Sequence, residues 1–295
     1  MDTVREIAPA KVNLSLEVIG KYEDGYHKLE SIMQSVNLCD ELILTAAGEK
    51  IELTLDGDYP VPDDSSNLVW QAAELMKKKF NRVSSGLQIK LHKKIPVSAG
   101  LGGGSSDAAA VIRAINRLFS LGLTAPAMEK LALKLGADVP FCIRGGTAFA
   151  RGRGGKLTFL PTPSPDKHSL ILIKPGFSAA TEEIFARVSS EVYTRETDSD
   201  RLINLLLSDR DVDWTEGWKN DLEQITFSLY PSLLEVKKKI SEFCPQHILM
   251  TGSGPTLMAF FVKTSRALEM LNNWSGKEKI FLVNFLSSAK TNNSV

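Results

Sequence analysis

The segment Pro96-Val97-Ser98-Ala99-Gly100-Leu101-Gly102-Gly103-Gly104-Ser105-Ser106-Asp107 carries the strongest chemical signal in the chain. Residues without a side chain let backbone N–H groups curl around an oxyanion at no steric cost. A helix predicted directly behind the segment adds its free N–H groups and the positive end of its dipole, and Ser105 and Ser106 offer hydroxyls as cap or ligand. The segment therefore reads as a phosphate cradle. It is not GxxxxGK[ST], which needs a lysine absent here, nor GxGxxG, which fails at Ser105. A flexible turn capped by serine is the plainer alternative.

A loop without lysine has to borrow cationic charge to handle a triphosphate. In Ala8-Pro9-Ala10-Lys11-Val12-Asn13-Leu14-Ser15-Leu16, residues Val12, Leu14 and Leu16 share one strand face, which puts Lys11 and Asn13 together on the other. An ordinary solvated strand face explains the same pattern. Gly136-Ala137-Asp138-Val139-Pro140-Phe141 sets one carboxylate among apolar residues after a helix, and Pro140 biases Val139 to an extended conformation. Asp138 is either a general base or an aspartate bonding its own turn. Asp24-Gly25-Tyr26-His27 presents an aromatic ring and an imidazole side by side, a pair that can stack on a nucleobase and bond its edge or simply pack. Thr251-Gly252-Ser253-Gly254-Pro255 is a second backbone nest or a tight turn.

These residues need elements to hold them. Leu42 and Leu44, then Ile51, Leu53 and Leu55, alternate around Gly48 and predict two strands joined in a hairpin. Leu68, Ala72, Leu75, Met76 and Phe80 recur at helical spacing with Asn67 at the entry, and Leu87, Ile89 and Leu91 form a strand leading into the glycine loop. Ala108, Val111, Ile112, Ile115, Leu118 and Phe119 predict the amphipathic helix behind it. Pro126 opens a further helix that Gly136 closes. Pro161, Pro163 and Pro165 punctuate Leu160 to His168, where a domain boundary is expected. Beyond it come predicted strands at Leu170–Ile173, His247–Thr251, Thr256–Val262 and Ile280–Phe285. Helices are predicted at Thr181–Arg187, Ser199–Leu207, Leu222–Leu229 and Ser232–Phe243, and the polar tail from Ser287 to Val295 is expected to fray.

Composition narrows the function. Among 295 residues, 35 Lys+Arg balance 35 Asp+Glu, so no global field attracts a polyanion and nucleic acid is not the expected partner. The longest apolar run, Leu257 to Val262, is far too short to span a membrane, and the first residues lack a signal-peptide pattern, so a cytoplasmic location is expected. Cys39, Cys142 and Cys244 are widely spaced and read as reduced structural thiols.

In their order, Pro9-Ala10-Lys11-Val12-Asn13-Leu14, Asp24-Gly25-Tyr26-His27, Gly100 to Asp107, Ala137-Asp138-Val139-Pro140-Phe141, Asn220-Asp221-Leu222-Glu223 and Gly252-Ser253-Gly254 resemble the GHMP kinases. The glycine-serine loop alone indicates that superfamily. The full set, spanning residue 8 to about residue 262, is similar to its branch acting on a cytidyl-diphosphate derivative of methylerythritol in the non-mevalonate route to isoprenoid precursors. The resemblance implies an α+β, two-domain GHMP kinase fold. Its N-terminal ribosomal-protein-S5-like domain, which binds ATP, would cover 1–160 and its C-terminal α/β sandwich domain 161–295, with the active site between them.

It further implies that Lys11 and Asp138 are catalytic and that Pro96, Val97, Ser98, Ala99, Gly100, Leu101, Gly102, Gly103, Gly104, Ser105 and Ser106 hold ATP. Asn67 and Lys93 would contact adenosine, and Asn13, Tyr26, His27 and Phe185 the cytidyl substrate, with Phe185 closing the second face of a cytosine sandwich. Asp138 would take the hydroxyl proton, Lys11 would orient it, and Mg2+ would accompany ATP with no protein ligand assigned. The chain departs from the branch at Ser178-Ala179-Ala180-Thr181, at Ser98 where glycine is common, and at Gly154-Gly155-Lys156 where a Gly-Glu pair often stands. A mevalonate- or homoserine-type kinase is the nearest other reading, opposed by Tyr26-His27. A non-catalytic S5-like nucleic-acid-binding protein is opposed by the zero net charge together with Lys11 and Asp138.

Overall fold

The computed structural model describes residues 2–163, 169–207 and 217–288, and within them the protein is α+β with two sheets. The chain forms two compact units. One takes the chain up to Lys11, Leu38–Val97 and Gly102–Gly145; the other takes Val12–Asn37, Ser98–Leu101 and the chain from Gly146 on.

In the first unit, the beginning of β1 (Thr3–Lys21) and the end of β2 (His27–Ala46) meet through Arg5 on Glu41 and the Ala46 N–H on the Asp2 carbonyl. The expected hairpin around Gly48 does not form. Strand β2 pairs antiparallel with β4 (Leu87–Lys93), while β3 (Ile51–Gly57) pairs parallel with the other edge of β4, so β4 separates two strands that are neighbours in sequence. Alternation fixes which face of a strand is buried, and says nothing about which strand supplies its hydrogen bonds. Gly86 makes the insertion possible: a Cβ there would run into the backbone of Ala47, Glu49 and Lys50, and its N–H donates to the Gly48 carbonyl.

Four helices cover this unit. Helix α1 (Leu68–Lys79) starts at Asn67, whose side chain accepts the Val69 N–H. Helix α2 (Gly103–Leu118) begins earlier than its apolar repeat, because Gly103 to Ser106 carry no hydrophobic periodicity yet take helical backbone. Residues Ser106 to Ile115 are all buried, packed against α1 and against α4 (Val139–Arg144). Helix α3 (Ala125–Ala132) stops short of the expected closure at Gly136. Asp138 leads the short helix α4 at its N-cap position, an element the sequence did not predict.

In the second unit the first half of β2 pairs with β5 (Thr147–Gly152), which pairs with β6 (Lys156–Leu160). Neither β5 nor β6 was predicted, since Thr-Ala-Phe-Ala-Arg has small residues where a strand usually shows branched ones. The predicted strands form an antiparallel sheet in the order β10-β7-β9-β8. They are β7 (Ser169–Lys174), β8 (His247–Met250), β9 (Leu257–Phe261) and β10 (Lys279–Val283). Helices α5 (Thr181–Ala186), α6 (Ser199–Leu207), α7 (Glu223–Leu229) and α8 (Ser232–Ser241) match the expectations, and α9 (Thr264–Asn273) adds to them. Ile171, Ile173, Leu222, Leu233, Ile240, Leu257 and Phe261 centre this unit's core. Ser164 to His168 of the expected boundary and the tail after Ser288 lie outside the described residues. Among the described residues no helix is long and apolar enough to cross a membrane. The three cysteines are thiols, and burial pushes Cys39 up to about 11 and Cys142 up to about 12.

Candidate active site

Lys11 on β1 is buried, with its ammonium 3.3 Å from an Asp138 carboxylate oxygen. Asp138 stays partly open because it sits at the start of α4, whose first turn contains Pro140, a residue tolerated where the helix needs no N–H. Arg113 of α2 holds the surrounding backbone. Its guanidinium donates to the Cys142 carbonyl at 2.7 Å, the Ile7 carbonyl at 2.8 Å and Glu6 at 3.0 Å, tying together α2, α4 and the beginning of β1. The result is a carboxylate facing outward over a cation facing inward, a pair whose chemistry is compatible with accepting a hydroxyl proton while neighbouring charge is neutralised.

The glycine loop has a backbone geometry able to bind an anion. Ser98, Gly100 and Gly102 have φ of 49°, 75° and 65°, alternating with residues of negative φ. Such alternation turns successive N–H groups toward one side, the arrangement of a backbone nest. Ser98 occupies the left-handed region that non-glycine residues rarely take. Gly102 caps α2 without a side-chain hydrogen bond, so the first N–H groups of that helix remain available. A Cβ on Gly102 would lie 2.8 Å from Cγ of Lys11, so glycine there is a condition for seating the lysine. The Ser106 hydroxyl is buried with no hydrogen-bond partner among the described residues.

Before the loop, Asn67 donates to the Pro62 carbonyl at 2.7 Å and accepts from Val69 at 2.9 Å. Lys93, expected to reach adenosine, has its ammonium turned inward between Asp40 and Asp107, the latter at 2.7 Å. The other Asp40 oxygen accepts the N–H groups of Lys94 at 2.6 Å and Ile95 at 2.8 Å. One buried carboxylate thus fixes the chain leading into Pro96 and Val97. Burial and the Asp40 charge push the Asp107 carboxyl up to about 8 against the pull of Lys93. Burial opposes the Lys93 charge, but the carboxylates of Asp107 and Asp40 outweigh it and raise its pKa. Sequence reading missed Asp40 and Arg113, each of which looks like an ordinary polar residue until its partners are known.

In the second unit Asn13 is buried. Its backbone N–H donates to the Thr251 hydroxyl at 2.9 Å and its side-chain amide to Ser31 at 2.7 Å. Asn220 donates to the carbonyls of Met250 at 2.7 Å and Gly252 at 2.8 Å, fixing the Gly-Ser-Gly turn, and Ser253 bonds Thr181 at 2.8 Å. Gly100 approaches the Thr251 carbonyl so closely that a Cβ would collide with it.

His27 is 8% exposed, its ring 5.4 Å from that of Phe185 and edge-on to Tyr193 at 6.4 Å. Burial, helped by the charge of Lys21, lowers its pKa, so the imidazole is neutral at neutral pH. Its Nε2 is buried without a hydrogen-bond partner among the described residues. Tyr26, by contrast, is 63% exposed.

A family model for the GHMP kinases N terminal domain matches residues 67–146. A protein of Bacillus cereus (strain B4264) named 4-diphosphocytidyl-2-C-methyl-D-erythritol kinase is 40% identical over 286 residues, covering 96% of this chain and 97% of that protein. A crystal structure of 4-(cytidine 5'-diphospho)-2C-methyl-D-erythritol kinase aligns with a TM-score of 0.79 at 30% identity, over 96% of this chain and 99% of the other. A homoserine kinase from Cytophaga hutchinsonii shares the fold, with a TM-score of 0.75 at 20% identity over 96% of each chain.

Proposed function

Because the chain belongs to the 4-diphosphocytidyl-2-C-methyl-D-erythritol kinase family of the GHMP kinases, we propose that it works as that enzyme does. It transfers the γ-phosphoryl group of ATP to the tertiary C2 hydroxyl of 4-diphosphocytidyl-2-C-methyl-D-erythritol, a step of non-mevalonate isoprenoid precursor synthesis. The observation that carries the mechanism is the pairing of Lys11 with Asp138.

Phosphoryl transfer asks for alignment and charge neutralisation more than for covalent chemistry. Asp138 accepts the proton of the attacking hydroxyl, and Lys11 aims the carboxylate and offsets the charge that gathers around the reacting phosphoryl group. Loop residues Pro96 to Ser106 cradle the phosphates, with the orphaned Ser106 hydroxyl and the first N–H groups of α2 as donors. Among the described residues no cluster of His, Cys, Asp or Glu is placed to hold a metal ion, so Mg2+ would arrive with ATP and would supply charge neutralisation at the phosphate oxygens. Asn67 lies toward the adenosine end, where Lys93 serves with its one N–H not taken by Asp40 or Asp107. Neutral His27 reads the edge of cytosine through Nε2, Tyr26 and Phe185 stack on its faces, and Asn13 borders the substrate. The ATP-binding domain is assigned to 1–160, the second domain to 161–295, and the enzyme to the cytoplasm.

ATP consumption should be measured in parallel with the cytidyl substrate, mevalonate and homoserine, alongside RNA binding at physiological salt. Turnover confined to the cytidyl substrate is the expected result. Turnover with mevalonate or homoserine instead, or tight RNA binding without turnover, overturns the assignment.

A further inference from the structure

Arg153 follows β5 on the tight turn closed by the Gly154 N–H and the Arg151 carbonyl. The register of β2 on β5 sets Leu29 opposite Gly152, so the turn that precedes β2 emerges at the same end of the ladder as Arg153. There the guanidinium pairs with Asp24 and lies over two aromatic rings, 4.7 Å from the centroid of Tyr26 and 5.1 Å from that of Tyr22. Asp24 accepts the Tyr26 N–H at 3.2 Å, and the Tyr22 N–H donates to the Tyr26 carbonyl at 2.7 Å. One carboxylate therefore holds both the backbone of Tyr26 and the cation that covers its ring. Lys28 lies 5.0 Å from the Tyr22 ring, so Tyr22 is braced by cations on its own account.

We propose that Arg153 is a positioning residue for base recognition: it pins the exposed Tyr26 ring in the orientation that stacks on the cytosine of the substrate. The proposal rests on the assignment of Tyr26 to the cytidyl end of the substrate. An exposed tyrosine samples several rotamers, and a ligand that stacks on it has to freeze one of them. A guanidinium over the ring removes that cost before the ligand arrives, through cation–π attraction and planar stacking. The Tyr26 N–H, with Arg153 beside it, holds the Asp24 carboxyl below its ordinary range, so the anchor keeps its charge through neutral pH.

The test is a double-mutant cycle in the full-length enzyme, with KM for the cytidyl substrate and for ATP measured separately. Arg153→Ala should raise KM for the cytidyl substrate about 3- to 10-fold, the scale of immobilising one side chain, with KM for ATP and the thermal midpoint holding. Arg153→Lys should recover part of the loss, and Asp24→Asn should show an intermediate one. In a Tyr26→Ala background the Arg153→Ala effect should vanish. An unchanged or lower KM in Arg153→Ala overturns the proposal, the lower value meaning that arginine occupies the place of the base. So does an undiminished effect in the Tyr26→Ala background, which would mean direct contact with substrate. If Tyr26→Ala itself leaves KM for the cytidyl substrate unchanged, the base-recognition reading fails first, a result distinct from failure of Arg153 alone.

Discussion

The Lys11 side chain is 7% exposed and its ammonium stands 3.3 Å from a carboxylate oxygen of Asp138, whose side chain is 37% exposed, so the carboxylate faces the solvent side and its counterion does not. Asp138→Asn preserves shape but cannot take a proton. It should fold, bind ATP, and lose about 10²- to 10⁴-fold in kcat, the usual worth of a general base. Near-normal single-turnover phosphorylation by the purified variant would remove Asp138 from the chemistry. Lys11→Arg should not rescue Lys11→Ala, because a planar fork cannot replace a compact ammonium in a space closed by Gly102.

Gly102→Ala meets two obstacles at once, the left-handed φ of 65° and the stem of Lys11. The backbone cost alone is about 1–2 kcal/mol, measurable as a lower denaturation midpoint, and displacement of Lys11 should reduce kcat further. Gly103→Val acts elsewhere: a Cβ there falls 3.0 Å from Ile95 and 3.2 Å from the Lys93 ammonium. It should weaken ATP binding more than cytidyl-substrate binding, which calorimetric titration of both ligands can resolve.

The buried cluster of Lys93, Asp40 and Asp107 should leave a signature in stability against pH. Asp107 titrates at about 8 in the folded protein against 3.8 for an ordinary aspartate, so the folded state holds a proton that the unfolded chain has lost. Its stabilising contribution is full below about pH 4, declines as pH rises, and is gone above about pH 8. Asp107→Asn should flatten that decline when urea midpoints of the two proteins are compared from pH 5 to pH 9. Parallel curves would mean that Asp107 is ionised in the folded state.

Tyr26→Ala should cost about 1–3 kcal/mol in cytidyl-substrate binding while sparing ATP, and Tyr26→Phe should keep most of it because stacking uses the ring. His27→Ala should relax discrimination between cytidine and uridine forms of the substrate, since edge hydrogen bonds tell those bases apart. Competition binding with the two diphosphonucleoside analogues is the direct measurement.

Of the candidate segments only the glycine loop stood out by its own residue types; Lys11, Asp138 and Tyr26-His27 left ordinary polar readings open, and it was their order along the chain that carried the resemblance. The structure joins Lys11 to Asp138 and His27 to Phe185 across long stretches of chain. What was not legible depends on partners. Asp40 looks like a surface aspartate between two strands until Lys93, Lys94 and Ile95 converge on it. The start of α2 was hidden because glycine and serine carry no hydrophobic period, and β5 because its small residues resemble a loop. Arg153 gives no signal in sequence, since its meaning comes from the ring it covers.

The placement of β4 between β2 and β3 also bears on how the protein is made. A chain leaving the ribosome presents β2, the short turn at Gly48 and β3 first, and local collapse favours pairing those two strands directly. The final ladder needs that shortcut refused until the stretch from Gly57 to Leu87 has been closed into a loop, an entropic toll that local hairpins escape. Completion of this ladder therefore waits on a strand further along the chain, and Gly86, fitted between Ala47 and Lys50, leaves the room that β4 needs when it arrives.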